Sequence, residues 1–383
     1  MSKGLRFRAL QLSNWKNFAA VDVKIPDRIF LVGPNASGKS NFLDALRFLR
    51  DLASSGGGLQ EAVVRRGGVS AVRCLAARRY PDVEIHTELE QEPGAPRWKY
   101  ELAFNQDKQR RAVVRRERVV VAGKEILLRP TPEDREDQAR LTQTYLEQVN
   151  VNREFRALAA LFTSIRYLHI VPQLVREPDR SVGRVNDPFG GDFLEQVART
   201  QERTRKARLR RIQEALRVAV PQLREIELWR DERGTPHLRG KYEHWRPQGA
   251  WQTEEQFSDG TLRLMGLLWV AMEGGGPLLL EEPELSLHPE IVRFLPQMFA
   301  RMQRRTGQQI FISTQSPELL RDEGIGLDEA LLLIPGKEGT EVKPAGSLQD
   351  VRDLLEGGLS LADIVIPRTR PPDARQLALF TDR

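Results

Sequence analysis

At 383 residues, with 40% hydrophobic and 29% charged side chains, the chain is sized for two to three domains, or one large core with an insertion, at about 150 residues per domain, and its mix excludes a mostly disordered protein. Its longest apolar run, Leu264–Met272, covers nine residues against the roughly 20 that a bilayer-crossing helix needs, and the opening MSKG lacks the apolar stretch of a secretory leader, so a cytoplasmic protein without membrane contact is expected. The net charge is +6, with 48 arginines among 59 basic residues, while the single cysteine, Cys74, and five scattered histidines exclude an internal disulfide and a zinc site of ordinary spacing.

Residues LRFRAL and VDVKI alternate apolar and polar, as half-buried strands do, whereas IFLV is the continuous apolar run of a fully buried strand. That strand runs directly into GPNASGKS. The following NFLDALRFLRDL puts Phe42, Leu46 and Leu49 on one helical face and stops at Gly56-Gly57-Gly58. From Val69 to Leu128 the short runs VSAVRCLA, VEIHTEL, WKYELAF and RAVVRRERVVV predict an antiparallel meander. Helices are expected over 133–149 and 153–163, then a strand IRYLHIV, a Pro/Asp/Gly-rich loop over 172–191, and one long helix over 193–220. From Glu225 onward EIELW, PLLLEEPE, QQIFIS and LLLI read as strands. TLRLMGLLWVAM and 289–306 read as helices, and the tail after Pro367 as extended. The expected organisation is 1–130, 131–224, 225–345 and a C-terminal tail over 346–383.

The basic residues are locally concentrated: ten against four acidic between Arg97 and Arg129, and seven against one between Arg199 and Arg211. Such clusters suit a polyanion and equally suit a solvated face. His237 and His244 read as hairpin surface residues rather than ligands.

Three constellations carry chemistry. Gly33, Pro34, Asn35, Ala36, Ser37, Gly38, Lys39 and Ser40 fit G-x-x-x-x-G-K-[ST], with a buried strand before and an amphipathic helix, opening on Asn41, after. In that geometry backbone N–H groups and the helix N-terminus surround phosphates, Lys39 neutralises their charge and the Ser40 hydroxyl completes a Mg²⁺ shell. LLLEEPELSLHP delivers Glu281 and Glu282 to the C-terminal end of a buried strand, where one carboxylate can hold Mg²⁺ and the next can polarise an attacking water. Ser258 and Asp259, before Gly260, are good N-cap residues. They serve as caps alone, or the helix N-terminus and the Ser258 hydroxyl also bind a γ-phosphate.

The set GPNASGKS, FSDGTLR, LLLEEPELSLHP and FISTQSPELL resembles, in order and spacing, the Walker A, signature, Walker B/D-loop and switch-loop motifs of ABC-type ATPases. The opening LRFRALQLSNWKNFAAVDVKI is similar to the start of the RecF/SMC/OLD (overcoming lysogenization defect) branch, and the resemblance covers about residues 5 to 55 and 250 to 335. It implies an α/β fold, an ABC-type P-loop ATPase head with a β-rich first lobe over 1–130, a helical insertion over 131–224 and a second lobe over 225–345. It further implies ATP and Mg²⁺ as cofactors and a head-to-tail homodimer, in which Ser258, Asp259 and Gly260 of one copy meet ATP held by the other. Glu281 then serves the metal, and Glu282 and Gln315 are the catalytic residues. Glu281 stands where the family usually has Asp, and Gln315 where the switch histidine usually sits, so slow turnover is expected. Gln60, Gln106 and Gln173 are the candidates for a metal-contacting Q-loop glutamine. Asp259, in place of a glycine, and Arg263 fit the RecF/OLD branch better than transporters.

The function expected is a conformational switch acting on DNA, on a separately encoded effector such as a nuclease of a bacterial defence module, or on both. Only 68 residues follow Gln315, too few for an appended toprim nuclease domain. The alternatives are a repair or chromosome-maintenance ATPase that clamps DNA directly, and a scaffold with a vestigial ATPase. Gln376, Leu377, Leu379 and Phe380, behind Pro371-Pro372, resemble the pentapeptide that docks bacterial proteins on the replication sliding clamp. They either dock there or fold back on the chain's own core.

Overall fold

The computed structural model describes residues 4–76, 81–177, 187, 189–243 and 250–369; the tail motif at 376–380 and His244 lie outside them. In chain order the strands are β1 (Arg6–Trp15), β2 (Phe18–Lys24), β3 (Arg28–Val32), β4 (Val83–Glu90), β5 (Trp98–Gln106), β6 (Ala112–Val121), β7 (Lys124–Arg129) and β8 (Arg166–Leu168). They continue as β9 (Leu223–Arg230), β10 (Pro236–Tyr242), β11 (Ala250–Thr253), β12 (Leu278–Glu281), β13 (Ile310–Thr314), β14 (Ala330–Gly336) and β15 (Gly339–Pro344). Two compact units result: one of Met1–Arg166, Gly276–Leu279 and Gly307–Arg383, the other of Tyr167–Gly275 and Leu280–Thr306.

The first unit holds an antiparallel sheet in the order β2-β1-β4-β5-β6-β7. Alternation on β4, Val83, Ile85, Thr87 and Leu89 inward, puts its apolar residues on one face. A second sheet runs β15-β14-β3-β13-β12-β8. Every residue of β3 is buried, and it pairs in parallel with β13 (Phe30 opposite Ile312) and with β14 (Phe30 opposite Ala330). Arg28 at its start is buried against Glu329 (2.7 Å), and the rest of the strand, Ile29 to Val32, is buried on both faces, which is why IFLV shows no alternation. The helix Lys39–Ala53 buries Phe42, Leu46 and Leu49, as the spacing predicts. Phe48 of that helix stacks on Phe104 (5.4 Å) and meets Trp15 edge-on (5.2 Å), joining helix to sheet.

In the second unit β11-β10-β9 form a three-stranded sheet. The helix Glu202–Ala219 buries Leu209, Ile212 and Leu216, and the helix Asp259–Glu273 is apolar nearly all round, as a core helix should be.

Three sequence expectations meet tertiary overrides. VSAVRCLA is not a strand: Val69–Val72 forms a helical turn after Gly68, with Val69 and Val72 buried three residues apart. The helix expected over 133–149 gives way to Pro132–Glu136 and a 3₁₀ segment, Gln138–Thr142. The cause is Arg129, fully buried, whose five N–H groups go to Asp134 (2.8 and 2.9 Å), Glu117 (3.1 Å), Gln143 O (2.8 Å) and Arg140 O (2.9 Å). Glu117 in turn accepts the amides of Tyr145 (2.7 Å) and Leu146 (3.1 Å). Those backbone groups face a buried ion cluster instead of one another. The long helix over 193–220 is two, Phe193–Arg199 and Glu202–Ala219, because Arg205 caps Ala198 O and Thr200 O at 3.1 Å each. No helix among the described residues is long and apolar enough to cross a membrane.

Candidate functional site

The phosphate-loop sequence lies between β3 and the helix Lys39–Ala53. Ala36 (φ 62°) and Gly38 (φ 97°) take left-handed backbone conformations that turn the loop back over the helix N-terminus. A Cβ on Gly38 would lie 2.2 Å from Asn17 Nδ2. Asn17 itself donates to Ser37 O (3.0 Å) and Thr340 Oγ1 (2.8 Å) and accepts from Asn41 Nδ2 (2.8 Å), so the turn between β1 and β2 braces the loop from outside. Lys39 is buried, and its ammonium donates to Gly33 O (2.9 Å) and Pro34 O (3.2 Å). The buried Ser37 Oγ finds no hydrogen-bond partner among the described residues, whereas Ser40 is exposed at the start of the helix. No acidic residue stands in the first helical turn, which leaves the positive end of the helix dipole for an anion.

Also in this unit, Gln315 follows β13 and is half-buried. Ser316 behind it caps a short turn by accepting from Leu319 N (3.3 Å). Among the three glutamine candidates, Gln60 is committed to structure: it donates to Ala112 O (2.8 Å) and Thr142 O (2.7 Å) and accepts from Ala112 N (3.2 Å). Gln106 accepts from Ser70 Oγ, and Gln173 is exposed on the turn Pro172–Val175.

In the second unit Glu281 ends β12. Its carboxylate accepts a hydrogen bond from the Tyr167 hydroxyl, and His169 Nδ1 lies 3.3 Å from its carbonyl oxygen. Glu282 has φ 42°, an unfavourable backbone for a non-glycine residue, and Ser286 has φ 62°. Strain of this kind persists only where surrounding structure enforces it. The loop between them approaches the helix Asp259–Glu273 so closely that a Cβ on Gly260 would sit 2.5 Å from Ser286 O. Ser258 Oγ caps that helix by accepting from Thr261 N (3.2 Å). Arg176 holds the same segment through Phe257 O (2.7 Å) and the Asp259 carboxylate (2.6 Å). Arg263 is electrostatically coupled to both Asp259 and Glu282; burial pulls its pKa down while the two carboxylates pull it up. Signature helix and carboxylate loop thus form one connected cluster.

The family described as "AAA domain, putative AbiEii toxin, Type IV TA system" matches residues 28–321, which is 294 of 383. The chain belongs to this AAA-domain family. By family it is an ATPase of the AAA-domain type. Two relatives named DNA replication and repair protein RecF, from Clavibacter sepedonicus and Clavibacter michiganensis subsp. michiganensis, are 39% and 38% identical over 84 residues. That stretch spans 21% of this chain and only about a fifth of theirs, 21% of each. Among solved structures, an SMC head bound to the C-winged helix domain of ScpA is 14% identical with a TM-score of 0.56, covering 88% of this chain and 96% of that one. An SMC head with an extended coiled coil, bound to the C-terminal domain of ScpA derived from Pyrococcus furiosus, is 12% identical with a TM-score of 0.55, covering 92% and 100%. At such identities the likeness establishes the fold: the α/β head expected from the motifs is the fold observed.

The residues of this ATPase suit a magnesium nucleotide. The loop offers a helix N-terminus, a lysine and a serine hydroxyl around glycines whose side-chain space is already filled, since a Cβ on Gly33 would meet Ser37 Oγ at 2.5 Å and Leu333 O at 2.8 Å. No group of three His, Cys, Asp or Glu residues among those described could hold a metal alone. Sequence reasoning missed three supports: Asn17, visible only as part of a family-like turn, Arg176, from the Pro/Asp/Gly-rich loop, and Tyr167. Nothing in the local pattern marks the last two; their partners are 83 and 114 residues away.

Proposed function

We propose that the protein is an ATP-driven conformational switch that closes as a homodimer on ATP and acts on DNA. The observation that carries this reading is the pair of enforced left-handed turns, Ala36-to-Gly38 in the phosphate loop and Glu282 after β12, which set a phosphate cradle and a carboxylate at element ends. In this proposal Gly33 to Asn41 cradle the triphosphate, and Lys39 leaves Gly33 O and Pro34 O to neutralise it. Ser40 and Glu281 would hold Mg²⁺, which when bound would withdraw charge from the phosphates. Tyr167 orients the Glu281 carboxylate. Glu282 accepts a proton from the attacking water, and Gln315 orients that water by hydrogen bonding without carrying positive charge. Ser258, Asp259 and Gly260 serve the nucleotide of the second copy, with Arg176 fixing their position.

The action on DNA is favoured by the RecF relatives' printed name and by the exposed basic helix Glu202–Ala219. An effector encoded separately, such as a nuclease of a defence module, would read the same closure. The decisive experiment is Glu282→Gln. The variant should bind ATP with near-normal affinity in calorimetry, lose turnover at least about 100-fold, and accumulate as a dimer in light scattering. Normal turnover by Glu282→Gln, with Glu281→Gln trapping the dimer instead, would reverse the two roles.

A further inference from the structure

Within the second unit the helices Glu202–Ala219, Asp259–Glu273 and Leu295–Thr306 leave an open apolar cavity of about 300 Å³. Leu268 and Met272 line it from the second of these helices, Met298 and Met302 from the third. Its rim carries Arg211, Arg301 and Arg305, and no carboxylate among the described residues lines it. Arg305 spends one N–H on Ala271 O (3.4 Å), and neither Arg211 nor Arg301 has an ion-pair partner among the described residues. On the first two of these helices Glu273 pairs with Arg208 and accepts from Trp269, Glu202 pairs with Lys206, and Glu214 faces Arg210. The helix Leu295–Thr306 itself contains three arginines and no acid.

We infer that this groove docks an acidic amphipathic helix of a partner protein. Its volume takes a few leucine-sized side chains, which is what one face of a helix presents at i, i+3 and i+4. Methionines line it on two sides, and their unbranched thioethers adapt to different anchors, a property of surfaces that receive helices. Three arginines without an ion-pair partner among the described residues then select glutamates or aspartates on the flanks of the incoming helix and speed its encounter. Nucleic acid is disfavoured because no aromatic ring among the described residues lines the cavity to stack a base, and its apolar floor offers phosphates nothing. The inference does not rest on the ATPase reading, since none of these residues belongs to the nucleotide motifs.

The test uses the full chain and a fluorescein-labelled synthetic helix with leucine at i, i+3, i+4 and i+7 and glutamate elsewhere, beside a twin with lysine for glutamate. Anisotropy should show the acidic peptide binding in the micromolar range and the lysine twin about tenfold or more weaker. Met298→Asp should weaken the acidic peptide about tenfold or more, and Arg301→Glu with Arg305→Glu should reverse the preference between the twins. Both variants should keep the thermal transition and the nucleotide affinity of the parent, so a folding defect is recognised. Equal binding of the two peptides, or indifference of the acidic peptide to both variants, would overturn the inference. So would displacement of the acidic peptide by duplex DNA, or sedimentation in which Met298→Asp converts a dimer to monomer and thereby gives the groove to a second copy.

Discussion

Gly38 shows how narrowly a single position in the phosphate loop is specified. Its φ of 97° disfavours any side chain, and Asn17 occupies the space a Cβ would need. Gly38→Ala should therefore cost more than about 1 kcal/mol of stability and displace the loop, whereas Lys39→Ala should leave the fold intact and abolish ATP binding in calorimetry. Equal melting temperatures for parent and Gly38→Ala would show that Asn17 yields. The glycine and lysine were legible in the sequence because their spacing is local. Asn17 was not legible as a brace, because its bond to Ser37 joins residues on either side of β3. The same contrast holds at the carboxylates. Glu281 and Glu282 stand out at the end of LLL, while the φ of 42° at Glu282 is a property of backbone enforced by the loop around it and has no residue signature.

At the scale of elements, the signature helix is held in three ways: a cap from Ser258, an ion pair from Arg176 and backbone proximity at Gly260. Arg176→Ala removes the pair to Asp259 and the donor to Phe257 O together. Turnover should fall by about tenfold or more, the scale of a displaced supporting group, with ATP affinity unchanged, and parental turnover would show that Ser258 suffices. The segment after β7 is governed by charge rather than helix propensity. Arg129→Met leaves Glu117 and Asp134 buried without their cation and should cost about 3–5 kcal/mol in urea unfolding. Acid acts on the same cluster with a definite sign. Buried against Arg129 and the Thr131 amide, the Asp134 carboxyl is held down to about 2 although burial alone would raise it. Its contribution is thus fully present above the ordinary value of 3.8 and is lost as pH falls toward 2. Glu117 opposes this, because burial raises its pKa despite the Tyr145 amide and Arg129. Asp134→Asn should flatten the acid limb of stability between pH 4 and about 2; an unchanged limb would place the sensitivity elsewhere. The helix expected over 133–149 does not form for this reason: periodicity registers a helix, not the distant Arg129 and Glu117 that compete for its carbonyls and amides.

For the molecule as a whole, the arginine-rich stretch from Arg199 to Arg211 is divided in its duties. Arg205 caps backbone, Arg208 pairs with Glu273 and stacks over Trp269 at 5.1 Å, and Arg210 faces Glu214 at 4.0 Å. Replacing Arg203 and Arg210 by Gln should lower the log–log salt slope of DNA binding by about 0.9 for each phosphate no longer neutralised; absence of DNA binding at low salt would leave them as a solvated face. The fold itself was legible from four motifs and the strand runs, since each is short and contiguous. During synthesis the order of those strands matters. β3 lies in the first tenth of the chain, yet the strands that flank it on both sides, β13 and β14, are encoded some 300 residues later. At about 5–20 residues per second of synthesis, the apolar IFLV segment waits roughly 15–60 seconds for those neighbours, exposed to chaperones and proteases, and the loop that follows it gains its supporting sheet only once β13 and β14 have been made.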